Sequence, residues 1–346
     1  MRAIAFLFPG QGAQSIGMGQ SLHAHSAAAR AVFAEVDAAL GEPLSRTLFG
    51  GPAGALARTA CTQPALLAHS VAALRALQGA AAEAGAPPPS ARAYLGHSVG
   101  EYAALVAGGA LGLGDAARLL RLRGEAMQRA GDAAGSPTAM AALLLAPPVR
   151  DLRALSQALA AACQRASAPH SLVALAALNS PSQAVLSGHA SAVARAVALL
   201  QGGDSPLPTP TRLRRVVPLP VSAPFHTPLM APAALALRSA LGALAQPLQP
   251  LHAPLVCGWS ALPVSAVADI VEALVQGVTS PVQWGAAVEV ARAQAPPLTD
   301  CIEFGAGGGT LCTLVKQCSE GDSGAQPARH IVGTWEDVLS LTRALK

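Results

Sequence analysis

Apolar positions along this chain switch repeatedly between two patterns. Short apolar-rich runs, the mark of buried strands, fall at 4–8, 93–95, 140–145, 172–178, 183–187, 254–258 and 301–304. Between them, apolar residues recur every three or four positions and predict helices. The first covers 21–40, with Ala28, Val32, Val36 and Leu40 on one face. The second covers 62–85, with Pro64 in its first turn and Gly85 as its stop. Further helices are predicted over 115–130, capped by Asp115, and over 150–166, 190–201, 230–245, 264–277 and 282–294. Val216–Ser222 carries Pro218 and Pro220, so an edge or irregular strand is predicted there. Residues 319–328 read as a polar loop, followed by Ile331-Val332 and a helix from Trp335.

Strands alternating with helices indicate an α/β fold. The composition changes at Gly135-Ser136-Pro137. From there to 212–217 the order is strand, helix, strand, strand, helix, strand, that of a ferredoxin-like module. The expected organisation is a small domain, 138–216, inserted into a large α/β domain formed by 1–137 and 217–346.

Composition narrows the function. Of 346 residues, 52% are hydrophobic and 12% charged, which is globular and not disordered. Aromatics at 3% are too few for a base-stacking platform, and a net charge of +4 falls short of a nucleic-acid signature. The mild basicity fits an anionic substrate or an acidic protein partner. A GC-rich coding sequence, which writes arginine and alanine often, accounts for it more simply. Cys61, Cys163, Cys257, Cys301, Cys312 and Cys318 are scattered through apolar segments with no Cys-x-x-Cys pair. Reduced core cysteines are expected, and with them a reducing soluble compartment: the cytoplasm, or a mitochondrial or plastid matrix. The N-terminal apolar run ends at Pro9, too early for a secretory leader. No sustained run of 18 strongly apolar residues suggests a membrane span.

The chemistry centres on Gly96-His97-Ser98-Val99-Gly100. A buried strand precedes this Gly-x-Ser-x-Gly and helical spacing follows it, as in a nucleophile elbow. The glycines are required because a Cβ at either position would crowd the turn. A serine nucleophile needs a base. Of the nine histidines, His226 is the best placed, because it follows a predicted strand in a turn bounded by Pro224 and Pro228. His97 adjoins the serine but should point away from it and orient the loop. Asp269, Asp300, Glu303 or a backbone carbonyl could orient the base. The Gly10–Gln14 turn lacks the spacing and lysine of a phosphate loop. It is either a plain tight turn or a loop presenting N–H groups to an oxyanion. Arg118, Arg121 and Arg123 cannot all share one helix face, and each alone reads as a solvated arginine.

Phe8-Pro9-Gly10-Gln11-Gly12-Ala13-Gln14, Thr62-Gln63-Pro64-Ala65, Gly96–Tyr102, Arg123-Gly124, Phe225-His226 and Ser280-Pro281-Val282-Gln283-Trp284 occur in one order. Together they closely resemble malonyl-CoA:acyl carrier protein transacylases over nearly the whole chain. The resemblance implies an α/β-hydrolase-like large domain with a ferredoxin-like insert. It implies Ser98 as nucleophile, His226 as base, and the N–H groups of Gln11 and Val99 as the oxyanion hole. Arg123 would hold the malonyl carboxylate, with Gln63 near the acyl group and Asn179 and His97 near the cleft. Phe225 would disfavour an α-methyl branch, and a carbonyl near Gly277 would orient His226. No cofactor is implied. Malonyl-CoA is the substrate, acyl carrier protein the partner, and a monomer is expected. The recipient pathway could be fatty-acid or polyketide synthesis. A serine thioester hydrolase and a catalytically silent docking subunit are the alternatives. Arg212, Arg214 and Arg215 are a candidate patch for an acidic carrier protein, and equally a solvated run. One departure is Ala306, where the family's Glu-x-Gly-Pro-Gly carries proline. The Val332–Trp335 region also differs from most bacterial members.

Overall fold

The computed structural model describes residues 2–306, 308–320 and 326–345. Among these residues, ten strands fall into two sheets. They are β1 (Ile4–Phe8), β2 (Ala91–Gly96), β3 (Thr138–Ala146), β4 (Val173–Ser180), β5 (Gln183–His189), β6 (Arg212–Leu219), β7 (Leu255–Val256), β8 (Pro263–Val264), β9 (Asp300–Phe304) and β10 (Ala328–Val332). The first sheet has the order β10-β9-β1-β2-β7-β8, parallel except for β8. Parallel strands need crossovers that cover the faces of the sheet. All five residues of β1 are accordingly buried. Register aligns Phe8 with Gly96, so β1 and β2 end together. The loops that follow them meet at the carboxyl edge, where open α/β sheets place their sites. The 25-residue helix Thr59–Glu83 is buried on almost every side.

The second sheet is antiparallel, with the order β4-β5-β3-β6. Alternation along β3 separates its two faces. Ala141, Leu143 and Leu145 pack with helices Leu152–Ala166 and Ala190–Gln201 in a core of their own. Met140 instead joins the main core, as do Ala176, Ala177 and Val185 of the neighbouring strands. A backbone splice ties β4 to the segment that leads into the helix Trp284–Ala293. Val282 N–H donates to Ala176 O at 2.9 Å, and Leu178 N–H donates to Val282 O at 2.8 Å.

The structure differs from the sequence expectations at several element ends. The 21–40 helix is two helices, Gln20–His25 and Ala27–Leu40. Ser26 breaks the run because its hydroxyl caps the second by accepting from Ala29 N–H. The next long helix starts at Thr59, so Pro64 sits inside it rather than in its first turn. Asp115 lies inside the helix Leu113–Asp132, whose cap is Gly112, and pairs with Arg118. β6 runs on to Leu219, past the expected boundary at 216. Pro218 is tolerated because β6 is the outer strand and pairs only with β3. β8 and the short helices Leu44–Gly50 and Ala53–Ala57 have no counterpart in the apolar pattern. The polar loop expected over 319–328 falls largely outside the described residues.

Candidate active site

β2 ends at Gly96 and the helix Gly100–Ala107 begins four residues later. Between them Ser98 has φ 55°, a left-handed conformation that side chains rarely adopt. The flanking glycines make this turn possible. A Cβ on Gly96 would lie 2.2 Å from Glu101 N, and one on Gly100 would lie 1.9 Å from Phe8 O. Gly10 brings the first loop onto the elbow in the same way, since its Cβ would meet His97 O at 2.4 Å. Gln11 and Val99 are thereby placed on either side of Ser98, and all three line one cleft of about 400 Å³. The Gln11 side chain is held back by Thr59, whose Oγ1 donates to Gln11 Oε1 at 2.6 Å.

The cleft lies between the sheets, with Met140, Ala177, Val185 and Leu219 of the antiparallel sheet forming one side. His226 reaches it from the loop after β6, and also has a left-handed φ, of 58°. Its Nδ1–H donates to Gly277 O at 2.8 Å, which leaves Nε2 as the basic nitrogen. The orienting group is therefore a backbone carbonyl. The acidic candidates stand elsewhere. Asp300 accepts from His330 Nε2 at 2.9 Å, Glu303 accepts from Cys312 N–H at 2.8 Å, and Asp269 is exposed on its helix. Burial pushes His226 down to about 3, and the charge of Arg123 adds to the shift. The imidazole is neutral at any ordinary pH.

Arg123 is not a solvated arginine, being only 3% exposed. Its Nη1 donates to Gln63 Oε1 at 2.8 Å and its Nη2 to Ser98 Oγ at 3.1 Å. Ser98 Oγ thus accepts from Arg123 and is not hydrogen-bonded to His226. Gly124 makes the placement possible: a Cβ there would lie 2.7 Å from Ala60 Cα, so only glycine lets the two helices approach this closely. Arg118 and Arg121 differ, pairing with Asp115 and Glu42 at the surface of their helix. Phe225 lines the cleft beside His226. His97 also lines it, so it does not point wholly away, and its Nε2–H donates to Asn179 Oδ1 at 2.9 Å. Asn179 is fixed in turn, donating to Gln183 Oε1 at 3.0 Å. Arg212, Arg214 and Arg215 are exposed on the outer strand β6 and do not line the cleft.

Three contributors went unread in the sequence. Met127 receives the Gln63 amide, with Nε2 3.7 Å from Sδ. Val282 makes the splice to β4, which no local pattern could reveal. Glu101, three residues after Ser98, is 4% exposed and accepts from Gly258 N–H at 2.7 Å. An acidic residue inside an otherwise apolar first turn was its available signal.

A serine held on an elbow beside a neutral imidazole, a guanidinium and two loops of peptide N–H groups is equipped to form and break an ester with an anionic acyl group. The comparisons agree with that chemistry. Residues 5–296 match the acyl transferase domain family. The chain is 39% identical over 317 residues to a malonyl CoA-acyl carrier protein transacylase of Bacillus subtilis, covering 92% of this chain and 90% of that one. It superposes on the acyl-carrier-protein-S-malonyltransferase of Bartonella henselae with a TM-score of 0.82 at 38% identity, over 99% of both chains. It also superposes, with a TM-score of 0.83 at 30% identity over 99% of each chain, on a malonyl-transacylase solved in complex with its type II PKS acyl-carrier protein.

Proposed function

Because the chain belongs to the malonyl CoA-acyl carrier protein transacylase family of acyl transferases, we propose that it moves a malonyl group from malonyl-CoA to the phosphopantetheine thiol of an acyl carrier protein. Transfer runs in two halves through an ester on Ser98. In the first, His226 Nε2 takes the Ser98 proton as Oγ attacks the thioester carbonyl. The N–H groups of Gln11 and Val99 receive the developing oxyanion, and the proton leaves on the sulfur of CoA. In the second, the carrier-protein thiol attacks the ester by the reverse sequence. A general base contributes about 10²–10⁴-fold and each oxyanion donor about 10²–10³-fold. The reaction as written calls for no metal or redox cofactor.

The observation that carries this reading is the buried Arg123 guanidinium beside Ser98. A planar cation there suits a carboxylate bidentately, and a simple esterase has no use for one facing its acyl pocket. Gln63 orients the guanidinium, and Phe225 narrows the cleft against an α-methyl branch. His97 and Asn179 shape the wall on the insert's side. The βαββαβ order and antiparallel sheet of 138–219 support a ferredoxin-like insert, and the parallel sheet with its elbow supports an α/β-hydrolase-like larger part. Six buried cysteines, none in a disulfide among the described residues, fit a reducing soluble compartment, where the chain acts as a monomer. The chemistry is the same whether the carrier protein serves fatty-acid or polyketide synthesis.

The test is the fate of the acyl group. Malonyl-loaded protein mixed with holo carrier protein should pass malonyl to the thiol faster than water removes it. Carrier protein lacking phosphopantetheine should leave the load in place. Release of free malonate as the main product in both mixtures would make the protein a hydrolase.

A further inference from the structure

Behind Ser98 a second cavity, of about 10 Å³, is walled by Glu101, Tyr102, Arg123, His226, Gly258 and Gly277. It has room for about one water. Two groups that line it, Arg123 Nε and Tyr102 Oη, are buried with no hydrogen-bond partner. Opposite them Glu101 fixes one carboxyl oxygen on Gly258 N–H, and its Oε2 faces Gly277, 3.6 Å from where a Cβ there would sit. Arg123 therefore borders both spaces. Its Nη groups donate to Gln63 and Ser98 at the cleft, and its side chain also lines the small cavity that Glu101 shares.

We propose that Glu101 is a positioning residue: ionised, it balances Arg123 from behind in the unloaded enzyme, and it takes a proton from solvent when the malonyl carboxylate occupies the front of the same guanidinium. The inference rests on the malonyl reading above. Two carboxylates on either side of one buried cation repel each other, and the internal one is relieved by protonation. The other titratable groups facing Glu101 carry no charge. Burial raises the Tyr102 phenol on the same helix and the Cys257 thiol at the end of β7, so both stay protonated. His226, from the loop after β6, is held neutral by its burial. Arg123, on the helix Leu113–Asp132, supplies the balancing charge.

Burial lifts the Glu101 carboxyl to about 7, with Gly258 N–H and the Arg123 charge drawing it the other way. Neutralising Arg123 with a malonyl carboxylate removes part of that opposing pull, so the carboxyl rises further. The sign is then fixed. Loading therefore takes up a fraction of a proton near pH 7, and the fraction grows as pH rises just above that. Loading is otherwise proton-neutral near pH 7, because the Ser98 proton ends on the CoA sulfur.

The experiment is loading of the wild-type protein with malonyl-CoA in weakly buffered indicator solution near pH 7, with mass spectrometry of Ser98 on the same sample. Proton uptake that accompanies the adduct, and disappears in Glu101→Gln, is expected. The KM for malonyl-CoA should also rise several-fold between pH 7 and 8 in wild type and stay flat in Glu101→Gln, a split that a merely structural role would not produce. Adduct formation without uptake in wild type overturns the inference whether or not the variant folds. Equal uptake in the variant assigns the proton to another group and overturns it too. Absence of any adduct overturns the malonyl reading itself.

Discussion

Arg123 Nη2 donates to Ser98 Oγ across 3.1 Å. The cation proposed to receive the substrate's carboxylate thus rests on the nucleophile before substrate arrives. Its charge also helps hold His226 low. A carboxylate on Arg123 would draw the guanidinium off the serine and relieve the histidine of a neighbouring positive field. An acyl group without a carboxylate would do neither.

Replacing Arg123 with alanine should therefore reverse the preference for acyl group. Malonyl loading should fall by about 10²-fold or more, the loss of a buried charge-assisted pair of about 3 kcal/mol. Acetyl loading, which never used the cation, should hold or increase. Burst measurements with the two thioesters read the ratio directly, and malonyl loading that survives unchanged would remove Arg123 from the site.

The acid side of the pH dependence of loading follows from His226. The base works when neutral, and burial has moved it from 6.5 to about 3. Protonation of this group should then cost nothing in kcat/KM between pH 8 and about 5, since that ratio reports the free enzyme. An acid limb with a midpoint near 6.5 would mean that His226 is exposed to solvent or is not the base.

Gly100→Ala should damage fold and activity together. The new Cβ would lie 1.9 Å from Phe8 O, a backbone atom that cannot swing aside. A loss of about 3 kcal/mol in urea unfolding is expected. Loading should slow as well, because the loop after β1 and the elbow carry the two proposed oxyanion donors. A stable, fully active variant would mean the elbow relaxes in a way the structure does not suggest.

Charge reversal at Arg212, Arg214 and Arg215 separates the two half-reactions. These residues are exposed on β6 and outside the cleft, so malonyl loading should be untouched. The KM for an acidic carrier protein should rise several-fold, and more so at low salt. Equal loss in both halves would indicate misfolding, and no loss in either would leave the patch as a solvated run.

The main strands and the elbow were legible because each depends on neighbouring residues: Phe8 ends an apolar run, and Gly96 and Gly100 bracket Ser98. Element ends were less so, since Ser26 breaks an otherwise continuous periodicity with one hydroxyl and Pro64 is carried inside a helix by tertiary packing. The site divided the same way. Ser98 announces itself locally, whereas Arg123 is distinguished from Arg118 and Arg121 only by the approach that Gly124 allows to Ala60. The resemblance to a family supplied what periodicity could not, including a carbonyl near Gly277 as the partner of His226. Neither route reached Glu101, because its significance lies in a cavity formed by five separate segments.

The central claim, an ester on Ser98 carrying a malonyl group, is tested most directly by peptide mapping after brief incubation with malonyl-CoA. One malonyl adduct is expected, on the peptide containing Ser98, absent from Ser98→Ala and discharged by holo carrier protein. An unmodified Ser98 in protein that still binds malonyl-CoA, or an adduct that forms equally in Ser98→Ala, would contradict it.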